Sequence, residues 1–188
     1  LNVSSLTTLE AWTFYTAICR PKLFYPTKVS AFKKSDWESV MRKFTHAIIR
    51  KMGFNGHTDR RVVFGPRRLG GIGLTSGYAQ QGADGLSHFL THVRNNSQVG
   101  KLMLNTLSQL QLLSGRQLCL LSNPHPLPKG RPRKGSTIYR WHHLGQGWLL
   151  MLRDFLATIG GRLVIPGAWT PPLLWEGDVA IMDAFLTR

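Results

Sequence analysis

Apolar side chains recur along this chain mostly at helical spacing. Between residues 36 and 52, Trp37, Val40, Met41, Phe44, Ala47, Ile48 and Met52 fall on one face at about 100° per residue, which predicts an amphipathic helix. Arg42, Lys43, His46 and Arg50 fall on the opposite face. Ser35 and Glu38 have capping-box spacing, Asp36 and Glu38 suit the positive end of the helix dipole, and Gly53 is placed to end the helix. One oily stripe and one cationic stripe result.

Residues 6–19 are apolar nearly all round, with Leu6, Leu9, Trp12, Tyr15 and Cys19 at helical spacing. That is the pattern of a buried helix, or of one that has lost its covering partner. Pro21 is expected to end or kink it, and Pro26 follows shortly. Helical patterns return at 78–94 and 98–114, and in the second Val99, Leu102, Met103, Leu107, Leu110 and Leu113 trace a narrow seam. Trp148, Leu152, Phe155, Leu156 and Ile159 mark a further helix that Gly160 and Gly161 stop. Asp178 is placed to cap a last one through Val179, Met182, Phe185 and Leu186. Residues 61–64 and 162–165 read as short strands, and Gly70, Gly71 and Gly73 as positions of positive φ or close approach. The expected fold class is mainly α with a few short strands.

The length of 188 residues suits one domain or two small ones, and 43% hydrophobic residues exclude wholesale disorder. A domain of this size buries about 70% of its extended-chain surface and needs no disulfide or metal staple. No run of about 18 uncharged apolar residues exists, so no membrane partner is expected, and no signal peptide is visible. Cys19 and Cys119 have no CxxC spacing and are expected to be buried thiols of a reducing compartment, nuclear or cytoplasmic. Because the chain is already hydrophobic and helix-like at Leu1, it is expected to be part of something longer.

Charge changes the picture most. Lys and Arg number 24 against 9 acids, a net +15. Between Arg20 and Arg68 there are 13 basic residues and three acids (Asp36, Glu38, Asp59), a net +10. A second block, Lys129, Arg131, Arg133, Lys134 and Arg140, contains no acid; its first four cations lie in a proline-rich loop at 122–137. Unbalanced, segregated cations point to a polyanion, nucleic acid first, held through its phosphates without base readout. The candidate contacts are Lys33, Lys34, Arg42, Lys43, His46, Arg50, Arg60, Arg61, Arg67 and Arg68, with Lys129, Arg131, Arg133 and Lys134 in the loop.

Catalytic patterns are weak. The six aspartates and three glutamates form no DD, DxD or ExxE pair, whereas a polymerase or nuclease holds its cations on converging carboxylates. Asp178 and Asp183 lie five apart on an expected helix and so diverge. His142 and His143 have no ligand partner at zinc spacing, and there is no GxSxG elbow. Gly71 and Gly73 lack the third glycine spacing and the βαβ unit of a dinucleotide loop. Neither a catalytic residue, a metal ligand nor a cofactor is expected in this chain.

Residues 44–74 carry a resemblance: Lys51-Met52-Gly53-Phe54-Asn55, then Arg61-Val62-Val63-Phe64-Gly65-Pro66, then Gly70-Gly71-Ile72-Gly73-Leu74. This succession resembles the segment that follows the palm in reverse transcriptases of non-LTR, LINE-like retrotransposons. Gln80-Gln81-Gly82, the stretch at 148–156 and the closing Met182-Asp183-Ala184-Phe185 are similar too. The resemblance implies a thumb-like helical region over 1–75 with its glycine-rich loop, and a helical extension over 76–188. It implies a part of an RNA-directed DNA polymerase that grips the primer–template duplex, an RNA–DNA hybrid, beside the fingers and palm of the same polyprotein. The family's Tyr/Phe-x-Asp-Asp turn has no counterpart here, so the chain by itself is not expected to polymerise.

Two other readings compete. One is a stand-alone basic RNA-binding structural protein, against which the apolar surface around Trp12 and Phe14 speaks. The other is an enzyme with an unrecognised site, which a pocket gathering His142, His143 and Asp154 would support.

Overall fold

A computed structural model of the chain describes residues 6–114, 119–122 and 147–165. These residues are mainly α-helical, and among them there is no β-strand. The expected helix from Asp178, the pair Asp178 and Asp183, the pair His142 and His143, and all but the first residue of the 122–137 loop lie outside the described residues. The chain divides into two compact units, Leu1–Gly85 and Leu86–Arg188.

The first unit begins with α1 (Thr8–Phe14). Thr7 caps it reciprocally: its hydroxyl accepts the Glu10 N–H at 3.3 Å, and the Glu10 carboxylate accepts the Thr7 N–H at 2.8 Å. The backbone bond from the Thr7 N–H, and then the bond that the Thr7 hydroxyl donates to the same carboxylate at 2.7 Å, hold the Glu10 carboxyl below its ordinary pKa. Pro21 does not end this helical run. A π turn at Tyr15–Cys19 carries it into α2 (Arg20–Phe24), with the Arg20 N–H reaching back to the Tyr15 carbonyl, and a 3-10 turn follows at Tyr25–Lys28. The wide turn places Pro21 at the start of a new helix, where its missing N–H costs nothing.

Helix α3 (Lys34–Lys51) starts earlier than its sequence pattern suggests. The cap is not Ser35. Lys33 occupies the cap position, and Asp36 accepts its backbone N–H at 3.1 Å, while Ser35 sits inside the first turn with its hydroxyl 3.4 Å from Asp36. The buried face carries Trp37, Met41, Ile48, Ile49 and Met52; Val40, expected inside, is exposed, and Ile49, expected nowhere, is buried. The C-terminus closes with the Gly53 N–H on the Arg50 carbonyl and the Phe54 N–H on the Ile49 carbonyl, the paired bonds of a Schellman motif.

Residues 61–64, expected as a strand, form α4 (Arg60–Phe64) instead. Asp59 decides it: its carboxylate accepts the Arg61 N–H at 2.7 Å, a cap that overrides the β-branched pair Val62-Val63. The chain then turns through a 3-10 turn at Arg67–Leu69 and folds back on α4, the Ile72 and Leu74 N–H groups bonding the Val62 and Val63 carbonyls at 2.8 and 3.0 Å. Tyr15, Ile48, Ile49, Met52, Val63, Ile72 and Leu74 thereby form one core, with Trp12, Cys19, Phe44 and Phe64 packed at its margin. The Tyr15 hydroxyl accepts the Thr75 N–H at 2.9 Å.

Helix α5 (Gly77–Arg94) supplies the polar interior of this unit. Gln81 is fully buried, and its carbonyl accepts the Trp37 indole N–H at 2.8 Å, the Ser30 hydroxyl at 3.0 Å and the Phe32 N–H at 3.3 Å. Its amide donates to the Phe32 carbonyl at 3.0 Å. One turn on, Asp84 accepts from Gln80 at 2.7 Å and from the buried Thr27 hydroxyl. A Cβ at Gly77 would stand 2.2 Å from the Trp37 ring, so only glycine admits the indole there.

In the second unit, the C-terminal part of α5 and α6 (Gln98–Ser114) form a helical hairpin. Asn96 takes the left-handed conformation at φ 46°, and the Asn96 and Ser97 N–H groups close on the Val93 and His92 carbonyls. The seam of α6 is rotated from its expected position. A Cβ at Gly100 would lie 2.2 Å from the His92 carbonyl, so the two backbones meet there; Leu107 and Gln111 are buried, while Val99 and Leu102 are exposed. Helix α7 (Trp148–Ile159) buries Leu149, Leu150, Met151, Leu152, Arg153, Phe155 and Leu156, and ends at Gly160 as its sequence predicts. Phe89, Leu107, Leu120, Leu121, Leu149, Leu152 and Leu156 make the core. Residues 162–165 form no strand; the Leu163 N–H bonds the Leu121 carbonyl at 2.8 Å. Both cysteines are free thiols and half-buried, not fully buried as expected.

Two mutational outcomes follow. Gln81→Leu keeps the volume but leaves the buried Trp37 N–H without its acceptor, and is expected to cost about 1–3 kcal/mol in urea unfolding. At the start of α3, Asp36→Ala is expected to cost about 1 kcal/mol, whereas Ser35→Ala stays within about 0.5 kcal/mol. Equal effects of the two would restore Ser35 as the cap.

Candidate nucleic-acid interface

The ten candidate contacts of the first unit arise from three segments around one core. Lys33 and Lys34 open α3, and Arg42, Lys43, His46 and Arg50 follow along it, turned away from its buried stripe. Arg60 and Arg61 stand in the first turn of α4, and Arg67 and Arg68 in the 3-10 turn after it. All ten are exposed. Ile48, Ile49 and Met52 from α3, Val63 from α4, and Ile72 and Leu74 from the returning strap anchor these segments in the shared core. Lys129, Arg131, Arg133 and Lys134 lie outside the described residues.

Two of the ten have local partners. The His46 ring lies against Gly56, where a Cβ would be 2.5 Å from its Cε1, so α3 and the 53–59 loop touch at this point. The Arg67 guanidinium carbon stands 4.2 Å from the centroid of the Trp12 ring. Trp12 is the residue that sequence reasoning missed: it is 55 positions from Arg67, and helical spacing marks it only as a core residue.

Four of the five acids of this unit are engaged elsewhere, while the fifth, Glu38, is exposed on α3 and pairs with none of the ten cations. Glu10 is engaged with Thr7, Asp36 with the Lys33 N–H, Asp59 with the Arg61 N–H, and Asp84 with Thr27 and Gln80. They cap helices and join side chains. Among the described residues, none of the ten cationic candidates forms an ion pair; the pair of Arg153 with Asp154 at 3.1 Å belongs to the second unit. There, burial pushes the Asp154 carboxyl up against the opposing pull of Arg153. Burial also raises the Cys19 thiol, opposed by Lys22, which keeps it protonated and a poor nucleophile.

The placement of the cations runs against local helix electrostatics. Lys33 and Lys34 crowd the positive end of α3, and Arg60 and Arg61 that of α4, where acids are favoured. Among the described residues no group of His, Cys, Asp and Glu is arranged to hold a metal ion. No described helix is long and apolar enough to cross a membrane. Compared with known protein families, curated proteins and solved structures, the chain matches none.

Since Arg42 and Arg50 project to solvent without ion pairs, Arg42→Glu with Arg50→Glu is expected to shift stability by no more than about 0.5 kcal/mol per site. Thermal unfolding checks it, and a cooperative loss of several kcal/mol would place these side chains in the fold instead.

Proposed function

We propose that this chain is a non-catalytic grip for a nucleic-acid duplex, with an RNA–DNA hybrid as its ligand and a retroelement reverse transcriptase as the larger protein it serves. The observation that carries the reading is the array of ten exposed cationic candidates on three segments around one core, with the neighbouring Asp36 and Asp59 engaged in capping. Cations at helix N-termini carry a local cost, and local rules are broken most often where function requires it. Phosphate contact needs no base-reading geometry, which suits a face of Arg and Lys on short elements. The retroelement assignment rests on the succession of motifs over 44–74 and the glycine-rich turn that separates α4 from α5.

The chain contributes binding, not bond-making. Its role in such a polymerase would be to hold the duplex while the fingers and palm of the same polyprotein supply metal ions and carboxylates.

Fluorescence anisotropy with a labelled RNA–DNA hybrid tests the reading. Neutralising about four to six phosphates gives a log–log salt slope of roughly −4 to −5. Arg42→Glu with Arg50→Glu is expected to weaken binding and flatten that slope by about one unit per lost contact. Binding that ignores salt, or a double variant as tight as the parent, would reduce the cationic stripe to a solvated face.

A further inference from the structure

Arg67 differs from the other nine candidates in how it is held. Its guanidinium lies over the face of Trp12, 4.2 Å from the ring centroid. Its aliphatic stem passes Gly73, where φ is +80° and a Cβ would come within 2.8 Å of the Arg67 Cγ. Trp12 is itself fixed. Its ring packs on Tyr15 at 5.6 Å, Tyr15 packs on Phe44 at 6.0 Å, and the Tyr15 hydroxyl accepts the Thr75 N–H two residues beyond Gly73. The strap that carries Gly73 is pinned on either side by the Ile72 and Leu74 N–H groups on α4.

We propose that Trp12 and the Gly73 backbone hold Arg67 as a preformed phosphate clamp, which makes Trp12 a positioning residue for nucleic-acid binding. A guanidinium stacked on an aromatic face has its charge stabilised by the ring, while its N–H donors stay in its own plane and point outward. Those donors match two phosphate oxygens side by side. An unsupported surface arginine must lose rotamer freedom when it binds; a stacked one has already lost part of it, so more of the contact free energy reaches binding. Arg67 stays exposed, and among the described residues no carboxylate competes for its donors. Lysine cannot reproduce this arrangement, because an ammonium has no plane to stack and no fork to present.

This inference rests on the duplex-grip reading and is tested on the full chain with a labelled RNA–DNA hybrid. Arg67→Ala is expected to weaken binding about tenfold, the scale of one charge-assisted contact. Trp12→Leu leaves every charge in place and is expected to weaken binding about fivefold. Trp12→Leu added to Arg67→Ala is expected to weaken it no further, since the two act through one contact. Arg67→Lys, which disturbs no packing in the core, is expected to lose about fivefold, and it carries the test where Trp12→Leu does not fold. An independent signal is the Arg67 Nε–H resonance, displaced by the Trp12 ring current in the free protein and moved again by the hybrid. Parent-like binding by Trp12→Leu or by Arg67→Lys overturns the clamp while leaving the duplex grip standing. A parent that fails to bind with salt dependence overturns both, and the ring-current displacement then persists as a purely structural stack.

Discussion

The Trp37 indole sits between Gly77 and the Gln81 carboxamide, and the arrangement of the first unit depends on that seat. The ring approaches the α5 backbone so closely that a Cβ at Gly77 would overlap it, and its N–H is satisfied only by Gln81. A buried indole N–H without an acceptor is costly, so position and rotation of α3 are set together. With Trp37 fixed, the 100° step of the helix turns Met41, Ile48, Ile49 and Met52 inward and sends Val40 outward. Arg42, Lys43, His46 and Arg50 are then exposed by geometry. The same Gln81 amide holds both backbone groups of Phe32, which ties the segment before α3 to the helix that follows it two elements later.

Charge in this unit is organised by the caps. Three of its acids, Glu10, Asp36 and Asp59, are held by backbone N–H groups at helix starts, where such a cap contributes about 1 kcal/mol to a helix. A carboxylate so fixed does not leave its donor for a solvated lysine, because an exposed ion pair is worth little in water. The positive field therefore follows from the way short helices are started in a chain with few acids. Self-repulsion among these cations opposes compaction and is relieved by salt or by a bound polyanion.

Much of the fold was legible where helix period and punctuation agree. The spacing over 98–114 and 148–159 matches α6 and α7 at both ends, and 78–94 matches α5 within a residue; Asn96 stops α5 and Gly160 stops α7 by backbone conformation. Errors arose where a local signal met a stronger neighbour. Val62 and Val63 have strand propensity, but the Asp59 cap and the bonds from Ile72 and Leu74 settle them as a helix that also lends its carbonyls to a strap. Pro21 reads as a stop, yet a π turn re-phases the backbone around it. The buried faces of α3 and α6 differ from those the hydrophobic pattern predicts, since hydrophobicity alone does not reveal that Trp37 or Gly100 fixes the rotation. Of the candidate site, the cationic residues were legible as charge. Their freedom from carboxylates and the Trp12 support of Arg67 were not, because both depend on contacts between residues far apart in sequence.

The glycine-rich turn links these threads. Gly73 and Gly77, four residues apart, serve different neighbours: one leaves room for the stem of Arg67, the other for the ring of Trp37. Between them the Thr75 N–H bonds Tyr15, the residue that carries Trp12. A substitution at Gly77 would disturb the rotation of α3 and the cations along it, whereas one at Gly73, where φ is +80°, would strain the strap and displace the stem of Arg67. The glycines act here through the room they leave for side chains. Trp37, forty positions from Gly77, and Arg67, six from Gly73, thereby pass close to the backbone, and Arg67 ends over the face of Trp12.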